Sequence, residues 1–118
     1  MQQLIQITFR GMTPSAALDQ RVRALAERFE RFRDHITSCH VTIQAPHQHH
    51  QQGALYNVRL RIGVEHGVIN VDRTGAHDHA HEDPFVAVRD AFNAADRKLQ
   101  EELRRRGDRR RQLTGAEL

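Results

Sequence analysis

Polar and apolar residues alternate from the start of the chain. Ile5, Ile7 and Phe9 fall on one side and Gln6 and Thr8 on the other, which predicts a half-buried strand over Gln3 to Phe9. Arg10-Gly11-Met12 reads as a turn, and Thr13-Pro14-Ser15 opens a helix, since proline is tolerated in a first turn. Leu18, Val22, Leu25, Phe29 and Phe32 then recur at helical spacing, predicting one helix through Arg33 that ends at Asp34-His35. On such a helix Arg21 and Arg28, seven residues apart, share a face away from the apolar stripe. Alternation returns over Ile36 to Ala45, with Cys39, Val41, Ile43 and Ala45 opposite His40, Thr42 and Gln44. Pro46 ends that strand, and His47 to Gly53 is a polar loop. A third strand over Ala54 to Gly63 sets Tyr56, Val58, Leu60 and Ile62 against Asn57, Arg59 and Arg61. A turn at Glu65-His66-Gly67 leads to a fourth, Val68 to Arg73, with Ile69 and Val71 inward and Asn70 and Asp72 outward.

The longest pattern is the last. Phe85, Val88, Phe92, Ala95, Leu99 and Leu103 are spaced by threes and fours and predict a helix over Asp83 to Arg106. Asp83 suits the N-cap and Pro84 the first helical position. Arg104, Arg105 and Arg106 occupy the predicted last turn, and Gly107 reads as the stop. The other surface of this helix carries Arg89, Asn93, Arg97, Lys98, Gln100 and Arg104. Residues 107–118 show no periodicity and many arginines, and are expected to form a basic tail without fixed structure behind a single domain of residues 1–106.

The order is therefore β-α-β-β-β-α. Short connections make strands two to four an antiparallel meander, and a helical crossover makes strands one and two parallel neighbours. Each strand has one apolar face and each helix one apolar stripe. The expected architecture is α+β in two layers: a four-stranded mixed sheet with both helices on one face and water on the other. The wet face would show Thr8, His40, Thr42, Gln44, Arg59 and Arg61.

Charge adds a candidate partner. Across the whole 118 residues the net charge is only +3, yet Arg97 to Arg111 hold seven Arg and one Lys against Glu101, Glu102 and Asp108. A basic end of this kind points to a polyanion, nucleic acid before anionic membrane. Cys39 is the only cysteine, which excludes an internal disulfide and a thiolate zinc site and fits a reducing cytosol. The N-terminus lacks the basic start and continuous apolar run of a signal peptide, and no stretch approaches the ~20 apolar residues of a membrane helix.

Read in order, several passages resemble one family, the ribosome hibernation-promoting factor / ribosome-associated inhibitor family in its short form. Leu25-Ala-Glu-Arg-Phe-Glu-Arg-Phe through His35-Ile-Thr-Ser-Cys-His-Val-Thr-Ile is similar to the family's first helix and second strand. Tyr56-Asn-Val-Arg-Leu-Arg-Ile resembles its third strand. Asp83-Pro-Phe-Val-Ala-Val-Arg-Asp-Ala-Phe followed by Asp96-Arg-Lys-Leu resembles the start and centre of its last helix. The resemblance covers Leu4 to about Arg106. It implies a cytoplasmic protein, not an enzyme and without cofactor, that binds the small ribosomal subunit and its ribosomal RNA in stationary phase or stress and blocks translation by occupancy. It implies no membrane and no small-molecule substrate. Arg97 matches a family cation. The family's usual Lys three residues earlier is here Ala94, and the Lys four residues later is Glu101, while cations stand instead at Arg89 and Arg104 to Arg106. The expected RNA-contacting residues are Arg21, Arg28, Arg89, Arg97, Lys98, Arg104, Arg105 and Arg106.

Other readings compete with this one. His77, His79 and His81 alternate in a loop and resemble a metal sequence, and His47, His49 and His50 lie in another loop. Neither loop has the i,i+4 pairing of a rigid helical His site, so weak binding without a structural role is expected. A stress protein working through metal or protein contacts at these loops is one alternative. A double-stranded RNA-binding module is another, since omitting the first strand leaves α-β-β-β-α; but the last helix opens with Asp83-Pro84-Phe85-Val86-Ala87, which has no cation for that mode. Catalysis is not expected. Cys39 would need a base beside it, and His40 points to the opposite face of the strand.

Overall fold

The computed structural model describes residues 2–46, 55–65, 67–74 and 83–116. A short 3₁₀ turn, Gln2–Leu4, precedes β1 (Ile5–Arg10). Then come α1 (Ala16–Ala26), a 3₁₀ segment (Glu27–His35), β2 (Ile36–Gln44), β3 (Asn57–Val64), β4 (Gly67–Thr74) and α2 (Pro84–Ala116). The four strands form one sheet in the order β1-β2-β3-β4. β1 lies parallel to β2, with Ile7 beside Val41, while β2, β3 and β4 run antiparallel. The expected mixed sheet and connectivity are those observed.

Alternation decides which face is covered. Cys39, Val41 and Ile43 of β2, Val58, Leu60 and Ile62 of β3, and Ile69 and Val71 of β4 are all buried. They form one core with Leu18, Val22 and Ala26 of α1 and Val88, Phe92, Ala95 and Leu99 of α2. The opposite positions of β3 and β4 (Arg59, Arg61, Asn70, Asp72) are exposed. Both helices therefore cover one face and leave the other to water, as the two-layer reading requires. Within α2 the small residues Ala87, Ala91 and Ala94 are buried as well, which brings its backbone close to its neighbours. Phe85, read as part of the stripe, stands 40% exposed at the helix start.

Two helix boundaries differ from the sequence reading. The first helix is not continuous to Arg33: α1 ends at Ala26 and the chain tightens into a nine-residue 3₁₀ segment, long for that conformation. The local cause is a three-residue repeat, Glu27-Arg28-Phe29 then Glu30-Arg31-Phe32. With about three residues per turn, positions i and i+3 eclipse, so Phe29 and Phe32 fall on one side and Arg28 and Arg31 on another. Phe29 is fully buried and stacks on Phe92 of α2, ring centroids 5.4 Å apart and planes 25° from parallel. Pro14 lies outside α1, whose N-cap is Ser15, its Oγ accepting from Leu18 N–H at 3.2 Å.

The second difference is at the C-terminus. The expected stop at Gly107 and structureless tail are replaced by helix through Ala116. Gly107 is not left-handed; among the described glycines only Gly11, in the turn after β1, has a positive φ, 69°. Glycine lowers helix stability by about 1 kcal/mol relative to alanine but breaks nothing by itself. Bonds from Arg105 to Glu101 (2.9 Å) and from Arg106 to Glu102 (3.2 Å) run along the turn before it. The start of α2 is as expected: Asp83 Oδ1 accepts from Phe85 N–H at 2.9 Å, and Pro84 is the first helical residue.

Candidate nucleic-acid interface

The solvent side of α2 carries the cations that the sequence singled out, and the structure sorts them by what each already holds. Arg97 and Arg104 are exposed and make no side-chain hydrogen bond or ion pair with the described residues. Seven residues apart, they share a face about 10 Å apart along the axis. With Gln100 and Glu101 they line one open depression. Glu101 makes no hydrogen bond or close ion pair with either, although the Arg104 charge adds to the pull on its carboxylate. Its carboxylate is taken by Arg105, whose guanidinium hydrogen bond and charge hold the Glu101 carboxyl below the ordinary carboxylate range.

Of the remaining predicted cations, all but Arg21 are engaged. Lys98 Nζ donates to the Asn70 carbonyl of β4 at 2.7 Å, which ties α2 to the sheet. Arg106 pairs with Glu102 at 3.2 Å. Arg89 pairs with its neighbour Asp90 at 3.1 Å. Arg21 is exposed on α1 and makes no side-chain hydrogen bond or ion pair with the described residues. Arg28, expected to share Arg21's face, lies beyond the end of α1 in the 3₁₀ segment, so the seven-residue spacing no longer aligns the two. It reaches α2 instead, donating to Asn93 Oδ1 at 2.6 Å and to Asp96 at 3.4 Å.

Asp96 is a feature the sequence reading passed over. It is the one buried charged residue among those described, 6% exposed, and it sits on the apolar stripe four residues after Phe92. Arg31 Nη2 meets both its oxygens, at 2.6 and 2.8 Å, and Gln100 Nε2 donates at 2.9 Å. Two arginines on one carboxylate leave a surplus positive charge, and both stay in reach of solvent, with 41% and 54% of their side chains exposed. Arg31 also lies over the Phe32 ring, 4.6 Å from its centroid. Arg31 is thus a further cation on this side that was not singled out. Its signals were the repeated Glu-Arg-Phe triplet and an acid standing on an apolar stripe.

The result is a half-exposed arginine pair fixed against α2, with Arg97 following Asp96 directly and Arg104 two turns further on. Guanidinium groups with free N–H donors, held by packing and by a buried acid, are suited to phosphate oxygens. Among the described residues no group of three His, Cys, Asp or Glu is arranged to hold a metal. His77, His79 and His81, like His47, His49 and His50, lie outside the described residues. No helix among the described residues is long and apolar enough to cross a membrane.

The architecture is a two-layer α+β module with a four-stranded mixed sheet. The chain belongs to the sigma 54 modulation protein / S30EA ribosomal protein family, whose model matches residues 5–107. This bears out the hibernation-factor resemblance, and the family is one of ribosome-associated modulation factors rather than a class of enzymes. A comparison with curated protein sequences gives no match. Solved structures share the fold. A ribosomal subunit interface protein from Coxiella burnetii is 18% identical with a TM-score of 0.65, covering 83% of this chain and 94% of its own. The N-terminal domain of Protein Y from Thermus thermophilus is 13% identical with a TM-score of 0.58, covering 80% and 92%. The first strand, which the double-stranded RNA-binding layout omits, pairs here with β2 from Ile5 to Arg10.

Proposed function

We propose that this chain is a cytoplasmic translation inhibitor that binds ribosomal RNA of the small subunit in stationary phase or stress. It acts by occupancy, with no chemical step and no cofactor. The observation that carries the reading is the pair Arg97 and Arg104, exposed on one face of α2 without a hydrogen bond or close ion pair to the described residues, in a family of ribosome-associated proteins. The arginines held at Asp96 extend that face, and Arg89 and Arg105 on α2 add secondary contacts; Arg21 on α1, Lys98 at the sheet and Arg106 beside Gly67 are cations farther from it. The Coxiella relative is described as a ribosomal subunit interface protein, which supports the same partner. Residues 1–106 are the binding unit, and the helical continuation past Gly107 adds Arg109, Arg110 and Arg111 as a cationic arm.

Sedimentation through sucrose with purified small subunits tests this. The protein should travel with the subunits at about 50 mM salt and dissociate steeply towards about 200 mM, as displacement of several phosphate-bound counterions demands. Arg97→Gln with Arg104→Gln should melt close to the parent, because both side chains are exposed and neither makes a hydrogen bond or close ion pair with the described residues, yet bind more weakly with a shallower salt dependence. Protein that stays at the top of a low-salt gradient overturns the reading.

A further inference from the structure

The face of the sheet that the helices leave open has an unusual composition. The register sets Gln6, His40, Arg61 and Asn70 in one row across the four strands. Thr8, Thr42, Arg59 and Asp72 form the next, and Arg10 begins a third opposite Gln44. These positions carry three arginines and a histidine against a single acid, and the rest are amides and hydroxyls. An ordinary solvated sheet face mixes both signs of charge, with lysine and glutamate frequent; neither stands in these rows. We propose that this face is a second RNA-binding surface, taking the ribose-phosphate backbone through Arg10, Arg59 and Arg61. The inference rests on the ribosomal reading above and adds a surface on the side of the molecule away from α1 and α2.

Several observations converge on it. Arg10, Arg59 and Arg61 line one shallow depression together with His40, Thr42 and Asn70, so the cations from β1 and β3 bound a common space. Arg10 and Arg61 have no side-chain partner among the described residues. Arg59 is held by Asp72 at 3.2 Å, with both side chains about half exposed, a contact that a phosphate can share or displace. Arg59 and Arg61 are two residues apart on one strand, about 7 Å, a spacing comparable with that of successive phosphates along a nucleic-acid strand. His40 Nε2 lies 2.8 Å from Thr8 Oγ1, which fixes the ring between β1 and β3.

The chemistry selects the partner. Phosphate and sugar contacts are made by arginine together with Thr, Asn and Gln, and hydroxyl and amide side chains suit the ribose 2′-OH. No Phe, Tyr or Trp stands in these rows, and the His40 ring is bonded to Thr8, so the surface grips backbone rather than stacked bases. A protein partner would want buried apolar or aromatic anchors at the centre of the patch. The exposed large apolar residue of β4, Val68, sits at the far end of its strand, a row beyond Arg61 and Asn70.

The test compares two double variants in equilibrium binding to purified small subunits across a salt series, with thermal melts of each. Arg10→Gln with Arg61→Gln removes two sheet cations; Arg97→Gln with Arg104→Gln removes two helix cations. The sheet pair should melt like the parent. Its log-affinity against log-salt slope should be shallower by about 1.4–1.8, two contacts at about 0.7–0.9 each, which is roughly 25- to 60-fold weaker binding near 0.1 M salt. If the sheet variant binds with unchanged affinity and slope while the helix variant weakens, the sheet inference is wrong and the ribosomal reading stands. If the parent protein binds no subunits at all, both fail.

Discussion

Asp96 and Arg31 form a double contact, with one guanidinium nitrogen 2.6 and 2.8 Å from the two carboxylate oxygens, that joins the 3₁₀ segment to the middle of α2. The carboxylate is buried while the arginine is half exposed. The contact therefore carries charge-assisted hydrogen bonds, weakened on one side by solvent screening. Asp96→Ala strands Arg28, Arg31 and Gln100 together. It should cost about 2 kcal/mol, within the range for lost hydrogen bonds to a charged group. Arg31→Ala should cost less, since Arg28 and Gln100 remain on the acid. Denaturant unfolding of both variants checks the order; a larger loss for Arg31→Ala would show that its packing on Phe32 matters more than the ion pair.

Phe92 is fully buried and stacked on Phe29, so the two residues couple α2 to the 3₁₀ segment. Phe92→Ala should cost roughly 3–5 kcal/mol, the usual range for an emptied aromatic site. That is a large share of the ~5–15 kcal/mol that holds a domain together. A double-mutant cycle with Phe29→Leu should give a coupling of about 0.5–1.5 kcal/mol beyond area alone. Additive losses would mean that the rings fill space side by side without a specific pair interaction.

Gly107 offers a direct check on the length of α2. Inside a helix, Gly107→Ala should stabilise the chain by about 0.5–1 kcal/mol by removing unfolded-state freedom. Circular dichroism should show helicity at least equal to that of the parent. Were Gly107 a left-handed stop instead, the same change would strain the backbone and lower both stability and helicity.

Cys39 is almost fully enclosed beneath the helices, and burial pushes its thiol up to about 11. Only the thiolate reacts at a useful rate. A maleimide at pH 7 should therefore leave the native protein unlabelled for as long as it stays folded, and should label it fully in denaturant. Fast native labelling would place Cys39 at the surface and turn β2 over, since a shift of one residue in register exchanges the two faces.

How much of this was legible in the sequence follows from how each feature is encoded. Alternation with a period of two marked all four strands and their inward residues, because that period is a property of the strand backbone itself. Capping chemistry placed the start of α2 at Asp83 and Pro84 for the same local reason. The end of α2 was misplaced because Gly107 is only a weak breaker, and the pairs Glu101–Arg105 and Glu102–Arg106 carry the helix up to it. The long first helix was misread because Phe29 and Phe32, three apart, fit both an α-helix and a 3₁₀ turn. The repeated Glu-Arg-Phe triplet told them apart.

By itself the sequence determined the order of elements, the two layers, the core and the concentration of charge in the last helix, all of which follow from local periodicity and composition. Only the tertiary structure decided which cations are free. Arg28, Lys98, Arg105 and Arg106 look alike on a helix diagram, but each is committed to a carboxylate or a carbonyl, while Arg97 and Arg104 are not. The acceptors for Arg28 and Lys98 lie 68 and 28 residues away along the chain. Such pairings depend on where the fold brings distant segments together, and no local pattern carries that information.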